Sequence, residues 1–339
     1  MRTAFVTGGS GFVGARLIER LVRDGWTVHA LARSDAAAAR VREAGAEAVD
    51  GDLGDRAALE RGARGADTVF HAAAKVERGS HPPEWDDFRR INIAGTHAVL
   101  AAARASGVRR FVHVGTEAAL LRGQPLVHAD ERTPLAFDSR APYAATKAEA
   151  EAAVLAAGGL EPIVVRPRFV WGPGDTTLVP SMVELVRSGR FRWVGGGHHL
   201  TSTTHIDNCV HGLVLAADNG IPGAAYFVTD GEPVEFRTFV TALLATRGVT
   251  PPDGSVPAVA ARAVAVAGEA AWRALPLPGA PPLTRFASWF ASLECTLDDS
   301  RARAELGYAP VVGREEGLAA LADAVALGGT ASVSRSNSA

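Results

Sequence analysis

Residues 7–17 read TGGSGFVGARL, and the understanding of this stretch decides the fold. Gly8, Gly11 and Gly14 stand at three-residue intervals between a β-branched run, Thr3–Thr7, and a helical pattern that opens at Phe12. A glycine takes positive φ at no steric cost and lets a phosphate approach the backbone. The helix N-terminus that follows offers free N–H groups and the positive end of its dipole. Spaced glycines also make plain turns. Here they follow a strand, open a helix and begin a βαβ array, the context a dinucleotide-binding loop requires. Ser10, Phe12 and Val13 complete that candidate loop.

Outward from the loop, the first two-thirds of the chain alternate short β-branched runs with helical patterns, the signature of a parallel sheet. Strands are predicted at Thr3–Thr7, Thr27–Leu31, Glu47–Asp50, Thr68–His71, Arg110–Gly115 and Pro162–Arg166. Helices are predicted at Phe12–Arg23, Asp35–Ala44, Arg56–Ala63, Trp85–Ser106 and Tyr143–Ala156. Right-handed crossovers then give an α/β fold, a Rossmann-type doubly wound parallel sheet over residues 1–175. Beyond about residue 175 glycine and proline cluster, and helices are expected without regular strands. This reads as a smaller C-terminal substrate lobe over 176–325, with some strands returning to the core. The small, polar stretch 326–339 reads as a disordered tail.

The chain has 339 residues, 47% hydrophobic and 21% charged, enough for a substantial core. Its formal net charge of −2 removes the electrostatic argument for a nucleic acid or an anionic membrane. Cys209 and Cys295 fit no zinc or redox spacing and read as free thiols. The N-terminus shows no signal-peptide pattern. The apolar stretch 256–275 is broken by Arg262, Glu269 and Arg273, so no transmembrane segment is expected. It reads as a core-packing helix, or one that rests against a membrane or roofs an apolar pocket. A cytoplasmic protein is the expectation. His71, His113, His198, His199 and His205 have no Asp or Glu partners at ligand spacing, and no metal is expected.

The Gly-x-x-Gly-x-x-Gly spacing resembles that of the extended short-chain dehydrogenase/reductase family. Further segments carry the same resemblance: GDL at 51–53, HAAAKV at 71–76, NIAGT at 92–96, RPRFVWGPGD at 166–175 and THIDN at 204–208. The resemblance implies cofactor contacts from Asp52 and Leu53, from Ala72, Ala73 and Ala74, from Asn92 and from Pro167. It also implies a possible homodimer through the helices matching 85–106 and 143–156.

In APYAATK, residues 141–147, Tyr143 and Lys147 are four apart and share one helix face. Spacing alone does not make them catalytic. The family places Tyr-x-x-x-Lys after its fifth strand, which ends here beside Thr116, in the slot usually held by serine. A free tyrosine, with a pKa of roughly 10, exchanges protons poorly at neutral pH. A nearby lysine cation and an oxidised nicotinamide are expected to pull that value down, while Lys147 also holds the nicotinamide ribose. The Thr116 hydroxyl is expected to hydrogen-bond the substrate oxygen.

Thr116-Glu117-Ala118 lacks the full Thr-Asp-Glu of sugar-nucleotide dehydratases, and Arg166-Pro167-Arg168-Phe169 replaces the epimerases' Arg-Tyr-Phe-Asn. The Arg-Pro form resembles the branch of 3β-hydroxysteroid dehydrogenases, sterol-4-carboxylate dehydrogenases and dihydroflavonol reductases. That implies a ketone/secondary-alcohol oxidoreductase for a hydrophobic small molecule, with or without a carboxylate. The alternatives are an epimerase-type enzyme and a non-catalytic NADP(H)-sensing regulator. Lys75, Glu117, Arg168 and Trp193 are candidate substrate contacts. Arg168 is either a salt-bridged arginine or an anion contact beside the pocket.

NAD-specific enzymes end the second strand with an acid that accepts from the adenine ribose and repels a 2′-phosphate. Here the strand reads TVHALARS, without an acid and with Arg33 directly after it. An arginine there either grips the phosphate, with help from Ser10 or Ser34, or stacks on the adenine. NADP(H) is therefore expected in preference to NAD(H).

Overall fold

The structure, a computed structural model, describes residues 2–77, 85–275, 277, 279 and 281–323. Seven parallel strands form its centre: β1 (Thr3–Thr7), β2 (Thr27–Ala32), β3 (Glu47–Asp50), β4 (Thr68–His71), β5 (Arg110–Val114), β6 (Glu161–Pro167) and β7 (Ala224–Val228). Their order is β7-β6-β5-β4-β1-β2-β3, so the chain reverses direction beside β1, as in a doubly wound sheet. Connecting helices are α1 (Phe12–Arg23), α2 (Asp35–Glu43), α3 (Arg56–Ala63), α4 (Gly95–Ala105) and α5 (Pro142–Leu155). The strand period of two divides their side chains between two cores. Ala4 and Val6 of β1 join Leu17, Ile18 and Leu21 of α1 on one face. Phe5 joins Leu59, Val99, Leu100 and Val154 on the other.

One local expectation changes. The predicted helix 85–106 begins as a short α-turn, Trp85–Phe88, and runs through a π-helical stretch, Arg89–Ala94, before α4. π-stretches of this kind interrupt helices where a side chain must be re-aimed, and this one holds Asn92, fully buried. Beyond residue 175 the chain returns to the central sheet. β7 is a full strand of the central sheet, pairing parallel with β6 from Ala224↔Ile163 to Val228↔Pro167. Its AAYFV run is buried throughout, so it carries no alternation to betray it.

The later helices are α6 (Leu178–Arg187), α7 (Ile206–Asn219), α8 (Phe236–Ala245), α9 (Ala258–Ala274) and α10 (Arg285–Ser292). α7 packs Cys209, Val210 and Leu213 into the same core as α1. A separate core in the C-terminal lobe is built on Phe169, Trp171, Trp193, Phe236 and Phe239. α9 lies on the surface with its polarity reversed. Val259, Val264 and Val266 face outward, while Glu269 turns inward to pair with Arg285. No helix among the described residues is long and apolar enough to cross a membrane. The proposed tail, 326–339, lies outside the described residues.

Candidate active site

The loop after β1 is shaped for close backbone approach. Gly8 has φ +76°, and a Cβ there would sit 2.6 Å from Ala73 N and 2.7 Å from the Ala72 carbonyl carbon. The glycine loop thus rests directly on the segment that leaves β4. A Cβ on Gly14 would come within 2.1 Å of the Gly8 carbonyl oxygen. Gly11 precedes α1 without any side-chain cap, so the first-turn N–H groups are left for a ligand. This cradle fits a nucleotide phosphate. Ser10, Phe12 and Val13 lie on it, partly exposed.

At the end of β2, Arg33 is exposed and forms no ion pair among the described residues. Ser34 caps α2, its Oγ accepting from Ala37 N at 3.3 Å, which leaves the hydroxyl proton free. Asp52 is exposed and accepts from Gly54 N at 2.7 Å, while Leu53 packs against Gly95 at the start of α4. Asn92 is fully engaged within the protein. Its Oδ1 accepts from Lys75 N at 2.7 Å, and its Nδ2 donates to Lys75 O and Thr146 Oγ1, each at 3.1 Å. It therefore staples the post-β4 segment, with Ala72, Ala73 and Ala74, to the helix that carries Tyr143 and Lys147. Pro167 is buried at the end of β6.

Thr116, Tyr143 and Lys147 converge beyond the carboxyl ends of β4 and β5. Gly115 makes the approach possible, since a Cβ there would lie 2.6 Å from Val164. Pro142 starts α5 with a preset φ, so Tyr143 enters at the first turn. Tyr143 is half-buried, with Phe286 of α10 edge-on at 5.3 Å. Lys147 is 2% exposed. Its Nζ donates to Val114 O at 2.9 Å and meets His113 Nε2 at 3.0 Å.

Sequence reading passed over the polar column beneath Lys147. His71 and His113 are register partners on β4 and β5, with ring centroids 5.2 Å apart. The Thr96 hydroxyl donates to Asn92 O at 2.6 Å, so it accepts from His71 Nε2–H at 2.9 Å. His71 Nδ1 then accepts from the Thr7 hydroxyl at 2.6 Å. His113 accepts at Nε2, so its proton sits on Nδ1, which has no partner among the described residues. Burial, then the Lys147 charge, hold both rings neutral, and His71 falls to about 3. The available signal was two histidines at matching positions of adjacent strands.

Burial also lowers Lys147 to about 8, against a smaller opposing effect of Glu151. Tyr143 moves the other way. Burial, and next the Glu117 carboxylate, push the phenol well above its ordinary value, while the Thr116 hydroxyl acts against them. Lys147 is not among the groups that move the phenol; the one lowering influence is the Thr116 hydroxyl.

The candidate substrate contacts separate. Glu117 and Arg168 form a buried ion pair, Nη1 to Oε1 at 2.7 Å, next to Thr116. Lys75 pairs with Asp87 and lies over Phe88. Trp193 is not at the site. It is 2% exposed in the lobe's own core, its Nε1 donating to Pro252 O at 2.9 Å. Phe286 and Phe290 of α10 form the aromatic wall, one against Tyr143 and the other under the Arg168 guanidinium. Asp175 caps α6 through Thr177, Leu178 and Val179 N–H groups. Asp230 gathers Trp171, Thr203, His205 and Asn208. The GPGD and THIDN segments thus brace the lobe.

The chain is similar to known proteins. Two relatives are similar over nearly their whole length. A 4-hydroxy-2-methyl-3-oxo-4-farnesyl-3,4-dihydroquinoline-1-oxide ketoreductase of Stigmatella aurantiaca is 48% identical over 96% of each chain. A 2-alkyl-3-oxoalkanoate reductase of Stenotrophomonas maltophilia (strain K279a) is 40% identical over 92% of this chain and 96% of its own. A dTDP-glucose 4,6-dehydratase of Streptomyces venezuelae, solved with NAD and TYD bound, shares the fold. Its TM-score is 0.73 at 24% identity, over 95% of this chain and 96% of that one. Residues 5–257 match the model of the 3-beta hydroxysteroid dehydrogenase/isomerase family. The chain belongs to that family and is a nicotinamide-dependent oxidoreductase of the extended short-chain type.

Proposed function

We propose that the protein is an NADP(H)-preferring ketoreductase for a hydrophobic ketone, with Tyr143 as proton donor. The observation that carries this reading is the convergence of Thr116, Tyr143 and Lys147 beside the glycine cradle and the α10 aromatic wall. A nicotinamide bound on the glycine cradle would supply or take the hydride. Tyr143, its pKa raised by its surroundings, is held protonated and delivers its proton to the carbonyl oxygen as the alcohol forms. Lys147 has two of its three N–H groups committed to His113 and Val114 O, which leaves one for a ribose hydroxyl. Thr116 Oγ sits beside the phenol, its own proton given to Glu117 Oε2. Phe286 and Phe290 shield the site from water.

Similarity to a reductase of a farnesylated quinoline ketone supports a greasy, uncharged ketone as substrate. Exposed Arg33 at an acid-free strand end supports NADP(H). The test is loss of NADPH absorbance when purified protein meets a panel of hydrophobic ketones, with NADH in parallel. No ketone-dependent oxidation across that panel, or faster turnover with NADH, counts against the reading.

A further inference from the structure

The Glu117–Arg168 pair lies beside the reacting groups, and no step above uses it. Glu117 Oε2 accepts the Thr116 hydroxyl at 2.8 Å, and Oε1 accepts Arg168 Nη1 at 2.7 Å. The side chains are 5% and 1% exposed. Arg168 reaches Glu117 from just past β6. Its Nε donates to Thr201 Oγ1 at 3.0 Å, and its guanidinium lies over Phe290 at 5.3 Å. Phe290 belongs to the same helix as Phe286, which packs on Tyr143. The ion pair therefore stands between the phenol that serves a substrate oxygen and the wall that holds its apolar body.

A guanidinium in that place is an anion receptor. Here the protein's own carboxylate fills it. Lys75, the other cation the sequence offered, is spent on Asp87. We infer that Glu117 determines specificity by charge: as the internal counter-ion of Arg168, it makes the site accept uncharged ketones and reject 3-oxo acids. This rests on the ketoreductase reading. In a 3-oxo acid the carboxylate carbon is two carbons from the reacting carbonyl. With the ketone oxygen at Tyr143, that carboxylate enters the field of Glu117, whose Oε2 accepts from Thr116 beside the phenol. It meets like charge in a dry site and finds no unpaired arginine to compensate its lost hydration. Discrimination by an unfavourable charge contact needs no extra contact with the accepted substrate.

The test compares kcat/KM for a 2-alkyl-3-oxoalkanoate methyl ester with that for the free acid, using NADPH. The wild-type enzyme is expected to favour the ester by roughly tenfold or more, since juxtaposed like charges are strongly disfavoured. Glu117→Gln, which frees Arg168, should bring the ratio down to near unity by raising turnover of the acid. Glu117→Gln with Arg168→Gln should lose that gain, and Glu117→Asp should restore the ester preference. A wild-type enzyme that uses acid and ester equally well overturns the inference without any variant, as does an unchanged ratio in a folded Glu117→Gln enzyme. Turnover of neither compound by the wild-type enzyme overturns the ketoreductase reading along with it.

Discussion

Lys147 Nζ lies 3.0 Å from His113 Nε2, so β5 holds the lysine of α5 from below. The contact joins residues 34 apart in sequence and fixes the ammonium before any ribose arrives. A neutral, buried imidazole is suited to this, because it accepts from the ammonium without competing for its charge.

His113→Phe should therefore raise KM for NADPH and lower kcat while the fold persists. Hydrogen bonds to charged groups contribute about 1.5–3 kcal/mol, so kcat/KM should fall roughly ten- to a hundredfold. Steady-state kinetics alongside circular dichroism provide the check. Kinetics within twofold of wild type would show that Val114 O alone positions Lys147.

Tyr143→Phe should remove nearly all turnover and leave NADPH affinity within a few-fold, since the ring still packs on Phe286 but no proton is delivered. Lys147→Ala should damage turnover and cofactor affinity together. Fluorescence titration with NADPH separates the two effects. A phenylalanine variant that keeps more than about a tenth of wild-type turnover removes Tyr143 from the proposed role.

Arg33→Ala should weaken NADPH by roughly ten- to a hundredfold and NADH far less, the scale of a charge-assisted contact to the 2′-phosphate. Dissociation constants for both cofactors decide it. Equal losses assign Arg33 to the adenine face.

A pH effect on stability follows from the depressed Lys147. An unfolded lysine titrates at about 10.4, the folded one at about 8. Between these values the unfolded chain binds more protons, so this group makes stability rise with pH in that window. Below about 8 both states are protonated and its penalty is constant. Tyr143 opposes only above about 10, where an unfolded phenol ionises and the buried one does not. Urea midpoints of wild type and Lys147→Met should thus converge or cross as pH rises from about 7.5 to about 9.5, in favour of wild type. A constant difference across that range would mean that Lys147 keeps an ordinary pKa.

By itself the sequence determined the doubly wound core, because its signals are local. Glycines spaced for a phosphate turn, β-branched runs and helix stops each act over a few residues, and the strands from Thr3–Thr7 to Thr68–His71 follow from them. Helix geometry likewise put Tyr143 and Lys147 on one face. Only the tertiary structure decided what those groups touch. Glu117 met Arg168 across 51 residues, and that contact turned a free anion receptor into a closed one. Asn92, legible as a cofactor contact, also ties Lys75 to Thr146 through its amide. Trp193, legible as a pocket wall, went to the lobe's core, and β7 hid in an unbroken apolar run. Periodicity records which face a residue shows; a buried charge or amide must instead find its partner wherever packing brings one within reach, and no local pattern encodes that choice.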